Sequence, residues 1–156
     1  MFRTNIEQDT LQNTNYRKTI FTNNTLQLVL MSIKPNENIP REVHENGEQF
    51  IRIEQGQCKI ITDNETINLQ KDDVVIISAG TYHEVINDGN IDLKIYTLYS
   101  PPQHIPNLLQ KNKPSEKCEE LSDAQCVKNT QNGGNFLNKF KKYIKKCDKI
   151  LAEIHY

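Results

Sequence analysis

From residue 16 to residue 100 the chain is a succession of short runs rich in Val, Ile, Thr, Tyr and Phe, punctuated by Asn, Asp, Gly and Pro. "YRKTIFT", "LQLVLMSI", "REVH", "QFIRIEQG", "QCKIITD", "INLQ", "VVIIS", "YHEVIND" and "IDLKIYTLYS" follow one another at the spacing of strands joined by tight turns. Side chains along a strand alternate between faces, and "FIRI" and "IDLKIYTLY" show that alternation cleanly. "LVLM" and "VVIIS" are instead continuous apolar runs, which predicts strands covered on both faces. Many short strands at this spacing predict an all-β sandwich or barrel.

The pattern stops after "SPPQHIP". Residues 113–133 are polar and poor in β-branched side chains, which reads as a linker. Residues 134–156 take up a helical period, with Phe136, Phe140, Tyr143, Cys147, Ile150 and Ile154 on one stripe and six lysines opposite it. The expected organisation is therefore a barrel domain over 1–112 with an N-terminal lead-in, a linker over 113–133 and an amphipathic basic helix over 134–156. A solvated lysine face is the plainer reading of that helix, its stripe packed on the domain or on a second subunit.

Charge narrows the function classes. The net charge is −1, so no global field draws the chain to nucleic acid or to a membrane surface. No apolar run is long enough to span a bilayer, and "MFRTNIEQDT" lacks a secretory core, so a soluble cytoplasmic protein is expected. The four cysteines, Cys58, Cys118, Cys126 and Cys147, lack the spacing of a zinc knuckle. Cys58 reads as a small buried strand residue, and free thiols suit a reducing compartment.

The densest chemistry lies in "REVHENGEQFIRI". In extended chain Glu42 and His44 point the same way, and Gln49, Ile51 and Ile53 share one face of the next strand. The result is a polar cluster directed inward. A second histidine, His83, stands in "AGTYHEVIN".

Taken together these stretches resemble the two motifs of the cupins, small double-stranded β-helix (jelly-roll) barrels. The first motif is matched by Glu42-x-His44, four residues, Gln49, six residues and Gly56; the second by Asp72, five residues, Ser78-Ala-Gly80, two residues, His83, three residues and Asn87. More narrowly, "NYRKTIFT", "LQLVLMSIKPNENI", "EVHENGEQFIRIEQG" and "LKIYTLYSPPQH" are similar to small single-domain cupins often labelled as related to mannose-6-phosphate isomerases.

The resemblance implies a ligand set of Glu42, His44, Gln49 and His83 for one divalent metal ion, with Fe, Mn, Zn and Ni all compatible. Glu42 stands where the family has histidine, and Gln49 where it has glutamate. Glu42 can ligate or can orient a histidine, and Gln49 can ligate or only hydrogen-bond. Gly56 and Gly80 read as positive-φ turns, and Asn87 as a turn-closing residue. Gln27 or Met31, Ile51, Ile53, Val85, Tyr96 and Tyr99 are candidates to line the pocket, although Tyr96 and Tyr99 cannot both face inward on a regular strand. Arg52 has outward parity, which leaves Lys94 as the remaining candidate for an inward cation. His104, beyond the last strand, reads as an exposed loop residue or as an acid–base group over the mouth.

The function so implied is a metal-dependent enzyme on a small polar, sugar-like molecule, isomerase- or epimerase-like or dioxygenase-like. A non-catalytic small-ligand-binding or assembly module on the same barrel is the alternative. A homodimer is expected, since the sheets leave free edges.

Overall fold

The computed structural model describes residues 1–114. The helix expected at 134–156 lies outside the described residues, as does all of the linker beyond Pro114. Helix α1 (Ile6–Gln12) is followed by β1 (Arg17–Thr22), β2 (Gln27–Ile33), β3 (Asn38–Glu42), β4 (Glu48–Gln55), β5 (Gln57–Thr62), β6 (Thr66–Gln70), β7 (Val74–Ile77), β8 (His83–Ile86), β9 (Leu93–Ser100) and β10 (Leu109–Gln110). The strands form a six-stranded sheet, β10-β1-β2-β9-β4-β7, and a four-stranded sheet, β3-β8-β5-β6, with every pairing antiparallel. This is the double-stranded β-helix arrangement.

Register decides what the barrel contains. Across β2, β9 and β4 the inward rows are Gln27–Tyr99–Gln49, Val29–Thr97–Ile51 and Met31–Ile95–Ile53, all of them buried. Ile39, Cys58, Ile60 and Val85 of the small sheet close the core from the other side. Each fully buried aliphatic side chain of this kind contributes roughly 1.5–3 kcal/mol. The inward rows change from apolar at the Met31 end to polar at the Gln27 end, and the polar end is where the site lies.

The outward rows place Lys94, Tyr96, Arg52 and Glu54 on the opposite face of the large sheet. Helix α1 packs there against β9, β4 and β2. Asn5 caps it, accepting from Gln8 N at 3.2 Å, with Glu7 and Asp9 in its first turn. The buried Lys94 Nζ donates to the Asn13 carbonyl, 2.6 Å away, and to Ser32 Oγ, 2.8 Å away, tying the end of α1 to the sheet. Lys94 is therefore a structural clasp on the outer face and not an inward cation.

Gly56 (φ +85°) and Gly80 (φ +76°) adopt the left-handed conformation expected of them, and Asp72 does so as well at φ +75°. Asn87 is fully buried, donating to the Ile33 and Ile91 carbonyls at 2.8 and 2.9 Å. Two further expectations fail. "VVII" is not covered on both faces: β7 is the edge of its sheet, and Val74 and Ile76 are 45% and 64% exposed. Strand β3 starts at Asn38, earlier than "REVH" implied, and ends at Glu42, so His44 stands in the loop beyond it.

Candidate metal centre

Three chain segments meet at the polar end of the barrel. Glu42 is the last residue of β3 and pairs in register with His83, the first residue of β8. The His44 carbonyl accepts from Gly80 N at 3.0 Å and, more weakly, from Gly47 N at 3.4 Å. The first bond staples the loop carrying His44 to the turn leading into His83, and the second closes that loop on itself; the left-handed Gly80 is what aims its N–H at His44.

Glu42 Oε1 lies 3.4 Å from His44 Nε2 and 3.6 Å from His83 Nε2. The two imidazole centroids are 5.5 Å apart, and one donor atom from each of the three residues lies within 4.8 Å of the others. These gaps exceed good hydrogen bonds. They approach the roughly 3.0–3.4 Å that separates neighbouring donors around an ion at bond lengths of about 2.0–2.2 Å.

The protonation pattern is set by hydrogen bonding. His83 Nδ1 lies 2.9 Å from the Thr81 carbonyl, which can only accept, so Nδ1 carries the hydrogen and, in the neutral ring, Nε2 keeps its lone pair towards Glu42. Burial raises the Glu42 pKa, but His44, His83 and the charge of Arg17 outweigh it and hold the carboxyl well below the usual carboxylate range. Burial also opposes a charged His83, yet Glu42 and the Thr81 carbonyl lift its pKa above the ordinary value. A carboxylate so placed favours a positive charge beside it, whether a proton or a metal ion.

Gln49 lies on the facing sheet, in the inward row of Tyr99. Its Nε2 donates to Thr97 Oγ1 at 3.2 Å and to the Tyr99 hydroxyl at 3.0 Å. Glu42 Oε1, His44 Nε2, His83 Nε2 and Gln49 Oε1 are all buried with no hydrogen-bond partner among the described residues. Four orphaned polar atoms would each cost about 1–3 kcal/mol in a dry site. One cation among the first three would satisfy those atoms, so two imidazoles, a carboxylate and an amide suit a borderline divalent ion.

The remaining candidates separate clearly. Tyr99 is fully buried and packs edge-on to His44, with centroids 5.2 Å apart. Ile51 and Val85, with Met31 and Ile53, are core residues. Tyr96 is not brought inward: it shares the outer face with Arg52 and stacks on Phe50 at 5.9 Å. Arg52 does face outward, bonded to Glu54 and Asp72. Gln27 acts on the chain beyond β9, its amide bonded to the backbone of Gln103 and His104. That clasp brings His104 edge-on to Tyr99 at 5.0 Å, so His104 is half-buried beside the site and not an exposed loop residue. Buried Arg17, on the inward parity of β1 opposite Met31, escaped the sequence reading; the alternation of "YRKTIFT" was the signal that could have found it.

Residues 29–99 match the family model described as "Cupin domain". "Uncharacterized protein L612" of Acanthamoeba polyphaga mimivirus is 36% identical over 154 residues, which is 96% of this chain and 90% of that protein. "Uncharacterized protein YrkC" of Bacillus subtilis (strain 168) is 40% identical over 109 residues, or 66% of this chain and 59% of YrkC. The crystal structure of BH2720 from Bacillus halodurans superposes with a TM-score of 0.68 at 35% identity, covering 70% of this chain and 88% of that one. With its two motif loops stapled at His44 and Gly80 and its sheets in jelly-roll order, the chain belongs to the cupin superfamily.

Proposed function

We propose that the protein is a metal-dependent cupin that holds one divalent cation through Glu42, His44, His83 and Gln49 and acts on a small polar, sugar-like molecule. The observation that carries this reading is the convergence of Glu42, His44 and His83 within 4.8 Å, their facing atoms buried without hydrogen-bond partners among the described residues. An ion held by this donor set supplies Lewis-acid polarisation of a substrate carbonyl or hydroxyl. The chain's own residues do the rest. Thr81 keeps the His83 lone pair directed at the site. Glu42 contributes the single negative charge, and Tyr99, Thr97 and Ile51, all fully buried, wall the site from water. Of the two reaction classes, isomerase- or epimerase-like proton transfer has support in His104, an imidazole outside the donor set and in ring contact with Tyr99. A ring nitrogen there can take a proton from a substrate carbon or hydroxyl and return it.

A homodimer belongs to the same reading. Edge strand β7 exposes Val74 and Ile76 beside the Phe50–Tyr96 stack, a strip that a second copy would cover.

The test is metal analysis of the purified protein with thermal melts in Mn, Fe, Ni and Zn. A cation at a hundred times its Kd should add about 2.7 kcal/mol of stability to the wild type, and His44→Ala and His83→Ala should lose the gain. Metal retained by both variants defeats the site assignment. A wild type with no metal and no thermal gain points to a non-catalytic binding or assembly module.

A further inference from the structure

A carboxylate can present either of two equivalent oxygens, but an amide has a direction. Turned one way, Gln49 offers a carbonyl lone pair to the site; turned the other way, it offers two hydrogens. Gln49 faces Tyr99 directly across β4 and β9, and Thr97 stands one inward row away, opposite Ile51. Both amide hydrogens are taken, by Thr97 Oγ1 at 3.2 Å and by the Tyr99 hydroxyl at 3.0 Å, while Oε1 is buried with no partner among the described residues. A hydroxyl can accept as well as donate, so the pair can receive the NH2 and leave the carbonyl for the site. With both hydroxyls deleted, the same orientation would bury two unpaired N–H groups in an apolar wall.

We propose that Thr97 and Tyr99 are positioning residues that hold the Gln49 amide with its carbonyl towards the site, making Gln49 a direction-dependent fourth donor to a divalent cation. The inference rests on the metal-site reading above and adds what lets an amide serve where the family has a carboxylate. Thr97 and Tyr99 act through Gln49, and their effect should vanish when the amide is replaced by a group without direction. Partners of this kind typically alter metal affinity 10–100-fold.

The experiment is Co(II) titration of the full chain, followed by calorimetry and by visible absorption, with a melt of each metal-free variant to confirm folding. Thr97→Val and Tyr99→Phe should each weaken Co(II) by about 10-fold and change the absorption band, whereas Thr97→Ser, which keeps the hydroxyl, should match the wild type. In a Gln49→Glu background the same deletions should have little effect, because a carboxylate carries no N–H to satisfy. If Tyr99→Phe does not fold, the Thr97→Val and Thr97→Ser pair decides alone. Affinity unchanged by hydroxyl deletion, or an equal loss in the Gln49→Glu background, overturns the positioning role and leaves the site intact. Absence of Co(II) uptake by the wild type, or undiminished uptake by His83→Ala, overturns the site and the positioning role with it.

Discussion

Replacing Gln27 by leucine should unfasten the chain beyond β9 and cost about 3 kcal/mol. The side chain is fully buried, and its amide is saturated. Nε2 donates to Thr22 Oγ1 at 2.9 Å and to the His104 carbonyl at 2.8 Å, while Oε1 accepts from Gln103 N at 3.2 Å and from His104 N at 2.8 Å. Leucine fills similar space but leaves two backbone N–H groups and one carbonyl without partners. At about 1 kcal/mol net for each, the sum is about 3 kcal/mol, falling towards the lower end if the loop swings out to water. For a domain of this size that is a fall in Tm of about 10–15 °C. Urea unfolding should show a lower midpoint at unchanged slope, and hydrogen exchange should show loss of protection at Gln103 and His104. A change below about 1 kcal/mol, with both amides still protected, would show that the clasp does not hold the loop.

The metal-free protein should have a stability optimum on the acid side of neutrality. Glu42, held low from its ordinary 4.5, contributes fully above that value and loses its contribution as pH falls towards its folded pKa. His83, raised from 6.5, contributes fully below 6.5 and loses its contribution as pH rises through its folded value. A bound cation needs His83 unprotonated, so the thermal gain from added metal should grow with pH over that same upper range. Melts with chelator and with Mn across the range check both signs, and a metal gain that shrinks with rising pH contradicts them. Gly56→Ala should be worse than Gly80→Ala, because both are left-handed but a Cβ on Gly56 meets Asp92 O and Leu93 Cα at 3.2 Å, whereas none meets Gly80 within 4 Å. About 1–2 kcal/mol is expected at Gly80 and more at Gly56, and equal midpoints in urea would refute the steric part. The Cys58 thiol, pushed up to about 12 by burial, should resist iodoacetamide at mild alkaline pH until denaturant is added, as peptide mapping would show.

The succession of strands from β1 to β9 was legible because alternation and turn residues act locally. The left-handed turns at Gly56 and Gly80, the outward parity of Arg52 and the burial of Cys58 followed from the same short-range rules. What could not be read depended on distant partners. Helix α1 is seven residues long, too short to declare itself by period, and it is fixed by Lys94 more than 80 residues away in the chain. A continuous apolar run cannot tell a strand covered on both faces from an exposed edge, so β7 was misjudged. His104 owes its place to Gln27 on β2, and nothing within "SPPQHIP" announces that tether. Tyr96 and Tyr99 show the limit from the other side: parity said that they differ, and only register on β4 and β2 showed which one faces inward.

Glu42, His44 and His83 belong to the small sheet and its loops, whereas Gln49 is anchored on the large one. Anything gripped by all four is thus a rivet through both halves of the sandwich, at one rim only. The opposite rim, around Ile33 and Leu93, is already tied across the sheets, by buried Asn87 donating to the Ile33 and Ile91 carbonyls and by the Tyr16 hydroxyl donating to the Asn38 carbonyl at 3.0 Å. Loading the site should therefore add the second of two ties, turning plates hinged at their apolar end into a sandwich pinned at both rims.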